Sequence, residues 1–281
     1  MEIKRDLLLK RLIDLRHNGM IKVITGMRRC GKSYLLFNLF TDALKAKGVD
    51  EENIVQINLE DRRNKSLRDP DKLLAYIDSR LKDNKMYYIL LDEVQLVNEF
   101  EDVLNSYLQV KNADVYVTGS NARFLSKDVI TEFRGRGLEI SLHLLLFSEI
   151  RGARPDEPIE QLWIEYITYG GLPQVITMNS DQEKVDYLKG LFKHTYLKDI
   201  KERYDIKLDG DLEELISTLA STVGGLTNPR KLADTFRTVK KSTISQDTIK
   251  VYIDYLQDAF IIERALRYDI KGKRYIDTPS K

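Results

Sequence analysis

A chain of 281 residues, 42% of them hydrophobic, is long enough to bury one large core or two ordinary ones. Its 45 basic and 44 acidic residues nearly cancel, which excludes a global field drawing it to nucleic acid or an anionic membrane; any such binding rests on a local patch. The single cysteine, Cys30, excludes an intramolecular disulfide framework and a cysteine zinc cluster, and suits a reducing cytoplasm.

The N-terminal "MEIKRDLLLKRLIDL" has its apolar residues interrupted by Lys10, Arg11 and Asp14. It reads as an amphipathic helix and lacks the unbroken apolar stretch of a signal peptide. No run of 18 apolar residues occurs anywhere, so no membrane span and no membrane partner are expected. From Ile21 to about Leu142 the short apolar runs "IKVIT", "NIVQINL", "MYYILLD", "DVYVTG" and "LEISLHL" alternate with helical patterns. That alternation predicts βαβ units around a parallel sheet, an α/β fold. "PDKLLAYIDSRL" sets Leu73, Leu74, Ile77 and Leu81 on one helical stripe, and "EFEDVLNSYLQ" does the same with Phe100, Leu104, Tyr107 and Leu108.

The stretch "RGARPDEPIE", with two prolines, one glycine and five charges, marks a boundary at 151–160. Beyond it "IEQLWIEYITY", "EKVDYLKGLFKHTYLKDI" and "DLEELISTLAST" are helical in period. A further helix opens at Asn228 as N-cap with Pro229 in the first turn, and another starts near Ser245 with the stripe Ile249, Tyr252, Ile253, Leu256 and Phe260. Two extended runs, "IIERALRYD" and "RYID", follow. Three helices and a hairpin predict a winged helix-turn-helix. The expected organisation is a nucleotide domain over 1–150, a helical linker or lid over 151–210 and the winged helix over 211–281. His17, His143 and His194 lack metal-ligand spacing and read as ordinary histidines.

The chemistry concentrates in "VITGMRRCGKSYLL". Gly26, four intervening residues and Gly31-Lys32-Ser33 fit G-x-x-x-x-G-K-[ST], between a predicted strand and a predicted helix. Backbone N–H groups of the run Gly26, Met27, Arg28, Arg29, Cys30, Gly31, Lys32, Ser33 and Tyr34, with the positive end of the helix dipole, are placed to converge on phosphates. Lys32 adds a point charge at the β- and γ-phosphates, and Ser33 supplies a hydroxyl for Mg²⁺. Cys30 fills an unconstrained loop position. The run "MYYILLDEVQ" ends in Asp92 and Glu93, two carboxylates too costly to bury in an apolar core, which are expected at the sheet edge beside the loop. Asp92 then serves the Mg²⁺ shell, and Glu93 acts as general base toward water. The polar cluster Thr118, Ser120 and Asn121 ends another strand; if that strand lies between the other two, the cluster meets the γ-phosphate, and otherwise it is a turn with a helix cap. Arg134 and Arg136 flank Gly135 before the last predicted strand, where an arginine is available to a neighbouring subunit's phosphoryl group or else simply solvated.

Taken together, "GMRRCGKS", "LLDEVQ", "VTGSNARFL" and "RGRGLEISL", in this order, resemble the AAA-type ATPases of archaea and bacteria whose loop reads G-x-R-R-x-G-K-[ST]. The similarity continues through "YGGLPQVI", "YLKDI", "TISQDTIKVYIDYLQDAFII" and "RYDIKGKRYI". The resemblance implies that Gly26 to Ser33 are Walker A, that Asp92 and Glu93 are Walker B, that Asn121 or Ser120 is the sensor, and that Arg136 is the better finger candidate with Arg134 as the alternative. It implies ATP rather than GTP, and no N-K-x-D guanine-reading sequence occurs. Relatives usually continue into a nuclease-like domain that is not among these residues, so no nuclease activity is expected of them.

The sequence thus predicts Mg-dependent ATP binding and hydrolysis, slow without an oligomer or partner. The alternative is a nucleotide-controlled switch that holds a protein partner. A small-molecule kinase is disfavoured, because the second half reads as a recognition module. Sequence-independent DNA contact through Arg230, Lys231, Arg237, Lys240, Lys241, Lys271, Lys273 and Arg274 is one reading of that module. Packing against the ATPase or a protein partner is the other.

Overall fold

A computed structural model describes residues 3–119, 133, 135–206 and 209–265. The chain divides into two units, Met1–Leu188 and Lys189–Lys281.

The first unit opens with α1 (Asp6–Asp14), β1 (Ile21–Thr25) and α2 (Lys32–Tyr34), which passes through a π-helical segment, Leu35–Phe40, into α3 (Thr41–Ala46). β2 (Ile54–Asn58), α4 (Pro70–Asp78), β3 (Tyr87–Asp92), α5 (Phe100–Tyr107), β4 (Ala113–Gly119) and β5 (Gly137–Ser141) follow. All five strands are parallel, in the order β2-β3-β4-β1-β5. The five apolar runs are therefore the five strands, and β4 does lie between β1 and β3. Strand alternation sends successive side chains to opposite faces. Val23, Ile57, Ile89, Leu91, Val115 and Val117 pack with Leu73 and Ile77 of α4 and Phe100 and Leu104 of α5. On the other face Ile24, Leu90, Tyr116 and Ile140 meet Leu12 of α1 and Leu35, Leu36 and Phe40. Both faces are covered by helices, as a parallel sheet requires.

After β5 come α6 (Phe147–Ala153), α7 (Ile159–Tyr169), α8 (Pro173–Ile176) and α9 (Asp181–Leu191). The 151–160 stretch thus begins inside α6 and ends inside α7. In the second unit a π-helical segment, Phe192–Leu197, leads to α10 (Lys198–Tyr204), α11 (Asp209–Ser221), α12 (Pro229–Lys240) and α13 (Gln246–Asp258). The caps are those read from sequence. Asn228 accepts from the backbone N–H groups of Arg230 and Lys231, and Ser245 accepts from that of Thr248. Ile249, Tyr252, Ile253 and Leu256 are buried against Leu212, Leu215 and Phe236. Residues 262–265 form no strand, and the expected wing beyond them lies outside the described residues.

Candidate active site

β1 delivers the chain at Thr25 into a turn that only small residues fit. Gly26 has φ +150°, and a Cβ there would stand 2.2 Å from the Leu142 carbonyl oxygen. Gly31 has φ +102° and precedes α2 as its cap. The loop therefore runs against the backbone that leaves β5, where Leu142 N donates to Thr25 O at 2.7 Å. Lys32 is 4% exposed, and its ammonium donates to the Gly26 and Met27 carbonyl oxygens at 2.9 and 3.0 Å. Cys30 is fully buried, and burial pushes its thiol above the ordinary range. Met27 and Arg28 are half-buried, while Arg29 and Tyr34 are exposed. Arg29, with φ 63°, leans on the Tyr187 ring of α9.

β3 ends level with this loop. Ser33 Oγ donates to the Asp92 carboxylate, 2.9 Å from Oδ1 and 2.8 Å from Oδ2, although 59 positions separate the two residues. Thr118, fully buried at the end of β4, donates to Asp92 Oδ1 at 2.6 Å and accepts from the Glu93 backbone N–H at 3.0 Å. One hydroxyl thus fixes the side chain of one acid and the backbone of the next. Asp92 is 2% exposed. Burial pushes its carboxyl above the ordinary range, while the Thr118 and Ser33 hydroxyls pull the other way. Glu93 leaves the strand in the left-handed region, φ 56° and ψ 51°, an unusual conformation for a residue with a side chain.

The structure thus brings together Gly26 to Ser33, Asp92 and Glu93. Ser120, Asn121 and Arg134 lie outside the described residues. Arg136 is exposed and stands elsewhere: its carbonyl accepts from Ile21 N at 2.9 Å, and Gly137 pairs with Ile21 at the start of β1. At about 3.3 Å per strand residue, Arg136 is roughly 16 Å along the sheet from the loop of its own chain.

Two contributors were missed in the sequence. Arg5, 5% exposed, donates to the carbonyls of Cys30, His143 and Leu144 and pairs with Glu149 at 3.2 Å. It ties the loop between β1 and α2 to the segment after β5 and to α6. A lone arginine ahead of a helix gives no sign of that, since its partners lie 25 to 144 positions away. Thr118 was noticed only as one of a polar trio, and its grip on both acids follows from strand order.

Among the described residues no group of three or more His, Cys, Asp or Glu side chains is placed to hold a metal by itself. The described residues contain no helix long and apolar enough to cross a membrane.

An AAA domain matches residues 18–151, and a domain of unknown function (DUF8612) matches residues 160–281. An uncharacterized protein of Haemophilus influenzae is 35% identical over 284 residues, covering 99% of this chain and 70% of its own length. An uncharacterized protein of Methanocaldococcus jannaschii is 27% identical over 266 residues, covering 90% of this chain and 58% of its own. The fold is similar to that of the Aeropyrum pernix ORC2 protein, solved in ADPNP-ADP complexes, with a TM-score of 0.51 and 12% identity over 92% of this chain and 84% of that one. The chain thus carries a match to an AAA domain over residues 18–151 on a parallel α/β sheet, and it belongs to the same family as the Haemophilus influenzae relative, which it matches over most of its length.

Proposed function

We propose that residues 1–150 bind ATP with magnesium and hydrolyse it, that 151–210 act as a helical linker or lid, and that 211–281 are a recognition module moved by the nucleotide. The observation that carries this reading is the meeting of Ser33 with Asp92 at 2.8 Å, directly after a buried lysine that rests on two loop carbonyls. An all-oxygen pair of one hydroxyl and one carboxylate suits magnesium, which usually takes one or two protein ligands and completes its shell with phosphates and water. When bound there it supplies positive charge against the β- and γ-phosphates.

Lys32 exchanges its carbonyl partners for phosphate oxygens, a charge-assisted contact stronger than the one it leaves. Glu93 takes a proton from water as the water oxygen bonds to the γ-phosphorus and the bond to the β-bridging oxygen breaks, giving ADP and phosphate. Arg136, remote from its own loop, serves the site of a second copy, so turnover is slow in the monomer. The nucleotide complexes of the ORC2 protein, similar in fold, agree with ATP as the ligand.

The recognition module contacts DNA weakly and without sequence preference. Its exposed basic residues Arg230, Lys231, Arg237, Lys240 and Lys241 lie on and beside α12, while α13 exposes Asp247 and Asp254. The localisation that fits is the cytoplasm. Phosphate release measured against protein concentration, with and without duplex DNA at low salt, tests these points together. Turnover per chain that rises with concentration supports the shared site. DNA affinity that falls steeply with salt supports a phosphate grip, and absence of phosphate release under every condition overturns the hydrolase reading in favour of a nucleotide-controlled protein-binding switch.

A further inference from the structure

We infer that Gln95 is a positioning residue for Glu93, holding the general base by its carboxamide; this rests on the hydrolase reading above. Glu93 leaves β3 in the left-handed region and caps a short 3₁₀ turn, Val94–Leu96. That bend brings the side chain of Gln95 back onto Glu93, where Gln95 Nε2 donates to Glu93 Oε2. The opposite end of the same carboxamide, Gln95 Oε1, is buried with no hydrogen-bond partner.

Those two facts belong together. A carboxamide facing an ionised carboxylate has one workable orientation, because turning it over would set two acceptor oxygens against each other. Holding Glu93 by the amide nitrogen therefore fixes where Oε1 must go, and the fold leaves that acceptor unsatisfied. Buried acceptors without donors are uncommon in folded proteins, and each calls for an explanation. Here the explanation is the contact on the other lobe: Gln95 gives up half of its hydrogen bonding to keep one oxygen of Glu93 tied down. The free rotation of a glutamate about three side-chain bonds is what such a tether removes, and a base that must meet one water in one geometry gains rate from the restriction. Backbone contacts secure the same turn, with Leu96 N donating to Glu93 O at 3.0 Å and Val97 N to Val94 O at 3.0 Å, so the fold does not depend on the carboxamide.

The test is Gln95→Leu, close in size and without a donor, with Gln95→Met as a second variant should the branched side chain pack poorly. The inference expects kcat to fall roughly 10- to 100-fold, with ATP affinity by calorimetry and KM unchanged. The melting temperature should hold or rise, since the unpaired carbonyl is removed. In a Glu93→Gln background the same substitution should have no further effect on residual turnover, because the group being positioned has gone. Unchanged or raised kcat in both variants overturns the inference, as does a loss that is just as large in the Glu93→Gln background. Wild-type turnover in Glu93→Gln alone would instead overturn the assignment of Glu93 as the general base, on which the inference rests, while leaving the hydrolase reading in place.

Discussion

Lys22 and Lys32 are both buried, one near the start of β1 and one just past its end, and they hold different kinds of partner. Lys22 is fully buried and paired with the Asp114 carboxylate, which also accepts from Tyr116 at 3.1 Å and from the His17 backbone at 3.1 Å. Burial lowers the Lys22 ammonium despite that carboxylate, so the pair persists because each charge answers the other. Lys32 rests on two neutral carbonyls, and near it Asp92 is held by two hydroxyls. Asp114 and Thr118 lie on the same strand and, by the period of two, the same face. One sheet face thus carries two polar clusters. The one at the N-terminal ends closes its charges on one another, and the one at the C-terminal ends holds them with neutral groups that a ligand can displace. Closure suits a structural role, and neutral support suits the nucleotide site proposed above.

The comparison can be broken in several ways. The largest expected effect concerns Arg136, which belongs to neither cluster of its own chain. A finger in trans is worth roughly 10³ to 10⁵ in turnover, so Arg136→Ala should be nearly inactive, and mixing it with Lys32→Ala protein should restore part of the activity. Absence of rescue, with turnover per chain independent of concentration, would place the arginine outside the chemistry. Glu93→Gln should come next, losing roughly 10² to 10⁴ in phosphate release while binding ATP as before. At the other end of the sheet, Lys22→Met should lower unfolding stability by about 3 to 5 kcal/mol in urea, because it leaves Asp114 buried beside no cation. Its ATP affinity should not change. A stable Lys22→Met variant would remove the structural half of the contrast.

The smallest effect is on alkaline stability. Burial, then Asp114, pushes the Tyr116 phenol above its ordinary range. The folded state therefore keeps a proton that the unfolded chain releases above about pH 10, so this contribution to stability is complete below that pH and declines as pH rises, by up to about 1.4 kcal/mol per unit. Lys22, lowered by burial, opposes it below its unfolded value near 10.5. Tyr116→Phe should flatten the decline between pH 10 and pH 12, on the order of one titrating phenol. A denaturation midpoint with the same alkaline slope in both proteins would contradict the assignment.

Much of this site was legible in the sequence, because its parts are local. A glycine-bounded loop needs only a strand before it and a helix after it, and the two acids of "YYILLDE" are read from an apolar run that stops. What was hidden is what parallel pairing creates. Leu91 pairs with Val117, and that register sets Thr118 beside Asp92. Val23 pairs with Val117 and Glu139, which puts Thr25 Oγ1 at 2.7 Å from Glu139 Oε1. Nothing within "IKVIT" pairs Lys22 with a partner; only β4 supplies Asp114. The π-helical run Leu35–Phe40 is hidden for another reason: its four buried residues fit an α-helical stripe equally well.

The central claim is that the C-terminal ends of the strands form a nucleotide site and the N-terminal ends do not. The most direct measurement is a calorimetric titration of ATP with magnesium into Lys32→Ala and Lys22→Met, each with its urea midpoint. The account predicts that Lys32→Ala loses about 2 to 5 kcal/mol of binding, on the order of 30- to 5,000-fold, with an unshifted midpoint, while Lys22→Met binds as the wild type and unfolds earlier. Wild-type affinity in Lys32→Ala, or loss of ATP binding in folded Lys22→Met, would contradict it.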